Sequence, residues 1–320
     1  MVGFVERRRV RGQLEALRHL WPQLTRPGSV HRHDASVMAS INAKPLSKRL
    51  PPGLTVRWLG VAGFDLQYEG YHLIIDPYLS RAPLRQVALG DALVSDSSLL
   101  LRHVPRADAV LVGHTHFDHA VDVAALCRLH SCPAYGSTSL SALMRLHRLD
   151  HLAYVPVPHR VVELGPFNVR FVPSRHSPLL LGLAVPFSGE ITCEHLGLLG
   201  GRDYRCGQVY GIHIEVAGTT FYHQGSAEIL EEEVRQRQVD YLLTCIAGRS
   251  AAPDYLRRTV SALDPKVVIA HHHDNFFLPI DGPAGFSFNV NCEGFVEDVR
   301  RLSADLEVRA FSPLQVIGQP

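Results

Sequence analysis

The stretch Val110-Leu-Val-Gly-His-Thr-His-Phe-Asp-His-Ala120 places His114, His116, Asp118 and His119 within six positions. Three imidazoles and a carboxylate at this density are metal-binding chemistry, because zinc and similar ions accept imidazole nitrogen and carboxylate oxygen while a catalytic site keeps a position for water. His114 and His116 are two apart, so on extended backbone they point the same way and can converge on one ion. After a turn, Asp118 and His119 face a second position beside the first. A metal-dependent hydrolase is the leading expectation.

Elements must deliver these groups. Ala109 to Val112 reads as a buried strand, and Ala120 to Leu129 carries apolar positions at helical spacing (Val121, Ala124, Ala125, Leu129). The cluster therefore belongs to a strand-to-helix loop. Upstream, Thr55–Leu59, Phe64–Tyr68 and Tyr71–Ile75 are short runs rich in β-branched and aromatic residues, separated by Gly60, Gly63 and Glu69-Gly70. They predict an antiparallel meander. Further strands are expected at 161–164, 169–172, 209–216, 219–223, 241–244 and 267–270, with helices near 139–147, 227–238, 252–263 and 294–304. Two batches of strands with helices between them predict an α+β, four-layer arrangement: two packed sheets with helices outside.

Residues 1 to about 52 read as an N-terminal extension closed by Pro51-Pro52-Gly53, and 53–320 as the hydrolase domain. The extension holds Arg7, Arg8, Arg9 and Arg11, then a short amphipathic helix marked by Leu14, Leu17, Leu20 and Trp21. No apolar h-region follows the arginines, so a secretory signal is not expected, and no apolar run approaches the roughly 20 residues of a membrane span. A formal charge of +1 lacks the basic excess that phosphate-backbone binding rests on, so nucleic acid is not an expected partner. Six cysteines lie scattered with no Cys-x-x-Cys pair, which reads as reduced, mostly buried thiols and leans cytoplasmic.

The cluster resembles the hallmark motif of the metallo-β-lactamase superfamily. Val172-Pro-Ser-Arg-His176-Ser matches the family's next histidine, at a strand end shortly after a proline, and Val267-Val-Ile-Ala-His-His272-His-Asp-Asn-Phe276 matches its last. The resemblance runs from about Val56 to Phe276. Trp58-Leu-Gly-Val-Ala-Gly-Phe64 and Ile75-Asp-Pro77 look most like the branch containing ascorbate-6-phosphate lactonase and N-acylphosphatidylethanolamine phospholipase D.

The resemblance implies a four-layer αβ/βα sandwich of two mixed sheets flanked by helices, and two Zn2+ ions, with Mn2+ or Fe2+ as alternatives. It implies His114, His116 and His176 for one ion, and Asp118, His119 and His272 for the other. Strand alternation lets only one of His271 and His272 face the metal; the match favours His272 and leaves His271 or His273 behind it. Most members place an Asp after a glycine to bridge the ions, where this chain has Gly225-Ser226. The missing anion should weaken binding at one or both sites, with Gln224 and Glu228 the nearby groups able to compensate.

The implied chemistry is attack by activated water on an ester, lactone, amide or phosphodiester. Asp118 would act as the catalytic residue that orients the water, and Asp76 as a support for a ligand histidine, though an Asp-Pro turn explains Asp76 equally. His223 and His159 are candidate pocket residues and Arg175 a candidate anion contact, each with an ordinary structural alternative. The apolar segments Leu179–Phe187 and Phe276-Phe277-Leu278, with Phe286 and Phe288, point to a small-molecule, acyl or lipid-like substrate. They would serve core packing equally well, and both a homo-oligomer and peripheral membrane contact stay open. An iron-dependent oxidoreductase on the same fold, or a metal-poor binding or regulatory protein, are the competing readings.

Overall fold

The computed structural model describes residues 27–42, 46–178, 184–282, 285–287 and 290–319. The expected helix at Leu14–Trp21 lies outside them, as do Arg7 to Arg11 and Phe288.

Among the described residues, fourteen strands form two seven-stranded sheets. The first contains β1 (Thr55–Gly60), β2 (Gly63–Tyr68), β3 (Tyr71–Ile75), β4 (Ala109–Leu111), β5 (Ala134–Tyr135), β6 (Ala153–Tyr154) and β14 (Val316–Gly318), in the order β14-β1-β2-β3-β4-β5-β6. The second contains β7 (Val162–Leu164), β8 (Phe167–Ser174), β9 (Val209–Val216), β10 (Thr219–Gln224), β11 (Tyr241–Cys245), β12 (Val267–His271) and β13 (Glu307–Ala310), in the order β13-β12-β11-β10-β9-β8-β7. Both sheets are mixed. The meander β1-β2-β3 and the run β7-β8-β9-β10 pair antiparallel, whereas β3-β4-β5-β6 and β10-β11-β12-β13 pair parallel.

Alternation along each strand builds three apolar layers. Leu73, Ile75 and Leu111 meet Phe171, Ile212, Leu243 and Ile269 between the sheets. Their neighbours Ile74 and Val110 turn outward against Leu100, Val123, Leu126 and Leu143 of the covering helices. On the opposite face Leu242 and Val268 pack with Leu256, Phe295 and Val299, and with Met38 and Ile41 of the helix Pro27–Asn42. Strands buried on both faces read as continuous apolar runs, which is why β4 and β12 are visible without period-two patterning. The result is the four-layer α+β sandwich expected from the sequence.

Two expected helices differ. The helix anticipated at 120–129 is two pieces, Phe117–Ala120 and Val123–His130. Asp122 stands between them, its carboxylate accepting from the Leu79 and Ser80 amides at 2.6 and 2.9 Å. The helix expected at 227–238 is replaced by one 3-10 turn, Glu231–Glu233, in an otherwise irregular segment. Arg258 captures the Ile229 carbonyl and the Glu228 and Glu231 carboxylates, and Gln224 donates to the carbonyls of Ser226 and Glu228. Carbonyls held by side chains of other elements cannot feed an i to i+4 ladder, so tertiary contacts override local propensity. The sequence reading also passed over the helices Leu84–Leu89 and Ser97–His103, the second capped by Asp96, whose carboxylate accepts from the Ser98 and Leu99 amides.

Candidate metal centre

β4 ends at Leu111, and the chain runs on through Gly113 to the four-residue helix Phe117–Ala120, which His116 begins. His114 and His116 thus lie on the approach, and Asp118 and His119 in the first turn. β8 delivers His176 just past its end, and β12 delivers His272. All six converge at the same edge of the sandwich. His114, His116 and His176 each offer a nitrogen within 4.8 Å of the others, and so do Asp118, His119 and His272 with one ligand atom apiece. The triads adjoin, since the His114 and His119 rings are 3.9 Å apart between centroids.

Partners decide which nitrogen each imidazole presents. His116 Nε2 lies 2.9 Å from the Pro186 carbonyl, leaving Nδ1 for the centre. His176 Nδ1 lies 2.7 Å from the Ser177 carbonyl, leaving Nε2. His119 Nδ1 lies 2.9 Å from Asp76 Oδ2, leaving its Nε2. Asp76 also accepts the Gly113 amide on Oδ1 at 2.7 Å, so one buried carboxylate braces both the approach to the motif and a histidine within it. Both nitrogens of buried His114 lack a hydrogen-bond partner. An imidazole left without any partner at the meeting point of five other donors is the arrangement a cation completes, and the donor set suits zinc.

Burial, followed by repulsion from neighbouring imidazoles, pushes His114 well below its usual range. Burial likewise lowers His116 to about 4 and His176 to about 3. These rings are neutral at pH 7 and able to donate a lone pair. Burial opposes charge on Asp118 too, but His119 and His272 outweigh it and hold the carboxyl below its normal range. His119 moves upward because Asp76 and Asp118 overcome its burial.

The three adjacent histidines separate. His272 has a left-handed backbone, φ 61°, with its amide on the Val61 carbonyl at 2.8 Å, and its Nε2 lies 3.2 Å from Asp118 Oδ2. A non-glycine residue at positive φ is strained, and here the strain turns the ring toward the centre. His271 lies between the sheets, its ring stacked on His223 at 5.1 Å with a 4° interplanar angle. His273 packs on Trp58.

Ser226 borders the cavity, and its Oγ accepts the Ser177 amide at 3.0 Å. It thus tethers the segment that carries His176. Gly225 is required before it: a Cβ there would stand 2.9 Å from Asp76 Oδ2. Gln224 and Glu228 are engaged away from the centre, Gln224 with backbone carbonyls and Glu228 with Arg258. His159, a candidate pocket residue, instead pairs with Glu233 at 2.8 Å, and His223 is buried on the Ala62 carbonyl. Arg175 is exposed and does not line the cavity.

Sequence reasoning missed the buried Arg81–Asp274 ion pair. Asp274 also accepts the Val61 amide, so the pair ties the β1–β2 turn to the segment after His272. Gly60, at φ 86°, leaves room for it, since a Cβ would lie 2.0 Å from Arg81 Nη2. Asp274 follows the histidine run directly; no local pattern marks Arg81 as its partner 193 residues away.

Residues 55–272 match the family model described as a Beta-lactamase superfamily domain. The chain is 23% identical over 260 residues to a UPF0173 metal-dependent hydrolase of Methanopyrus kandleri, covering 81% of this chain and 97% of that one. It is 26% identical over 275 residues to a relative of the same description from Anaeromyxobacter dehalogenans, covering 82% and 86%. Among solved structures, Igni18, a metallo hydrolase from the archaeon Ignicoccus hospitalis, aligns with a TM-score of 0.54 at 18% identity over 82% of this chain and 97% of that one.

Proposed function

This chain belongs to the metallo-β-lactamase superfamily, and from that membership we propose that it is a metal-dependent hydrolase with two adjoining metal sites. His114, His116 and His176 would hold one ion and Asp118, His119 and His272 the other, zinc being the metal the donors favour. The scissile bond is an ester, lactone, amide or phosphodiester. The observation that carries this reading is the pair of adjoining triads, buried except for partly exposed His176, beside a cavity of about 240 Å³ to which His116, His176, Asp118 and His272 all contribute.

Ions so held supply Lewis acidity and lower the pKa of coordinated water to about 7. The protein's share is preorganisation. Asp76, Ser177 and Pro186 set the free nitrogen of His119, His176 and His116, and Asp118 presents an ionised carboxylate to the cavity. That carboxylate accepts a hydrogen bond from water and would orient it toward a carbonyl carbon or phosphorus. His272 stands beside it as the neighbouring donor of the same triad, its Nε2 3.2 Å from Asp118 Oδ2.

Elemental analysis of purified protein should find close to two equivalents of zinc, with hydrolysis lost to chelator and restored by zinc. Asp118→Asn should reduce kcat by about 10²–10⁴-fold. Iron with oxygen consumption would replace this reading by an oxidoreductase on the same fold. Absence of both stoichiometric metal and hydrolysis would replace it by a binding role.

A further inference from the structure

We infer that the part of the substrate lying beyond the scissile group is uncharged and apolar, and that substrates carrying a second charge there are rejected. This rests on the hydrolase reading above and narrows it. Every ionisable imidazole and carboxylate lining the cavity belongs to the two triads. The remaining wall is built by Phe117, Phe187, Phe276, Phe277, Val87 and Pro186, and no lysine or arginine lines it among the described residues.

The polar groups left over are two neighbouring hydroxyls, Ser177 and Ser226, 3.5 Å apart, and one thiol, none of them charged. Ser226 accepts the Ser177 amide, and Cys245 donates to the Ala247 carbonyl. Arg81, the buried guanidinium nearby in sequence to the motif's supports, is paired with Asp274. Residues 179–183, 283–284 and 288–289 carry no ionisable side chain in the sequence.

The apolar wall begins at the ligands themselves. Phe187 stands edge-on to His116 at 6.5 Å between centroids, and Phe276 stands perpendicular to His272 at 5.6 Å. Phe276 and Phe277 touch at 4.4 Å, and Phe117 stacks on Phe277 at 6.4 Å. A substrate group leaving the triads therefore enters aromatic surroundings at once. An alkyl or aryl group gains from that burial, whereas a carboxylate or phosphate would lose its water with no partner to replace it.

The test uses matched pairs, so that the bond cleaved does not matter. The zinc-loaded 320-residue chain is assayed with p-nitrophenyl valerate against p-nitrophenyl hemiglutarate, and with p-nitrophenyl phenylphosphonate against p-nitrophenyl phosphorylcholine. In whichever pair shows chelator-sensitive turnover, the member whose group beyond the scissile bond is uncharged and apolar should lead by about 100-fold in kcat/KM. At the partly exposed position 187, Phe187→Arg should move the ester ratio at least tenfold toward hemiglutarate, and Phe187→Glu the phosphorus ratio toward phosphorylcholine; a merely structural disturbance would lower both members alike. Equal or better turnover of the charged member overturns the inference while leaving the hydrolase intact.

Chelator-sensitive turnover of neither pair would count against the hydrolase reading, and calorimetry then decides the inference on its own. Octanamide should bind the zinc-loaded protein at least tenfold tighter than suberamate, its counterpart with a terminal carboxylate, and Phe276→Ala should reduce that preference. Binding of suberamate as tight as octanamide overturns it.

Discussion

Ser226 shows how one residue changes the meaning of a motif. A serine where the family resemblance implies a bridging carboxylate reads in the sequence as a loss, yet its hydroxyl has a partner, the amide of buried Ser177. Ser226→Ala should leave that amide unsatisfied, costing roughly 1–3 kcal/mol in denaturant unfolding and loosening the segment after His176. Ser226→Asp should slow zinc release to a chelator, because it adds an anion at the edge of the centre; unchanged release would mean that position 226 serves the Ser177 tether alone. The histidine run separates by the same kind of measurement. His272→Ala should lower bound zinc from two equivalents toward one, whereas His271→Ala should lower stability and leave the stoichiometry alone, since His271 stacks on His223 between the sheets. Equal zinc loss in both variants would reverse that assignment.

Among the elements, the segment after β10 departs furthest from its local pattern. Residues 227–238 have the composition of a helix, but Arg258 on the helix Tyr255–Leu263 takes the Ile229 carbonyl at 2.7 Å and the Glu228 carboxylate at 2.6 Å. Its fork also reaches Glu231, whose outer position makes that contact the weaker contributor. Arg258→Ala should destabilise the fold by about 2 kcal/mol in urea, mostly through the half-buried Glu228 left without its partner. Arg258→Lys should recover only part, because a point charge cannot reproduce the fork. A loss within measurement error would show that the segment holds its shape without Arg258.

For the molecule as a whole, the two sheets must hold ligands from β4, β8 and β12 in one place, and ion pairs far from the centre contribute to that. Burial alone would raise Asp240, but hydrogen bonds from Lys266, Lys48 and the Thr220 amide hold its carboxyl at about 2. A depressed carboxyl stabilises the fold fully above its unfolded range near pH 4, and that share is lost as pH falls toward 2. Asp240→Asn should therefore lower stability at pH 7 and flatten its pH dependence between about 4 and 2; a parallel curve would remove Asp240 from the balance. The family resemblance implied the further candidate ligands His176 and His272, while the sequence by itself determined the fold class, the meander and the run into His114–His119. Those features follow from apolar runs, turn residues and donor spacing, all local properties of the chain. Only the tertiary structure decided that Ser226 clamps Ser177, that 227–238 is not a helix, that Arg81 meets Asp274, and that an aromatic wall adjoins the triads. Each depends on which side chains meet across distant elements, and a linear pattern carries no record of that proximity.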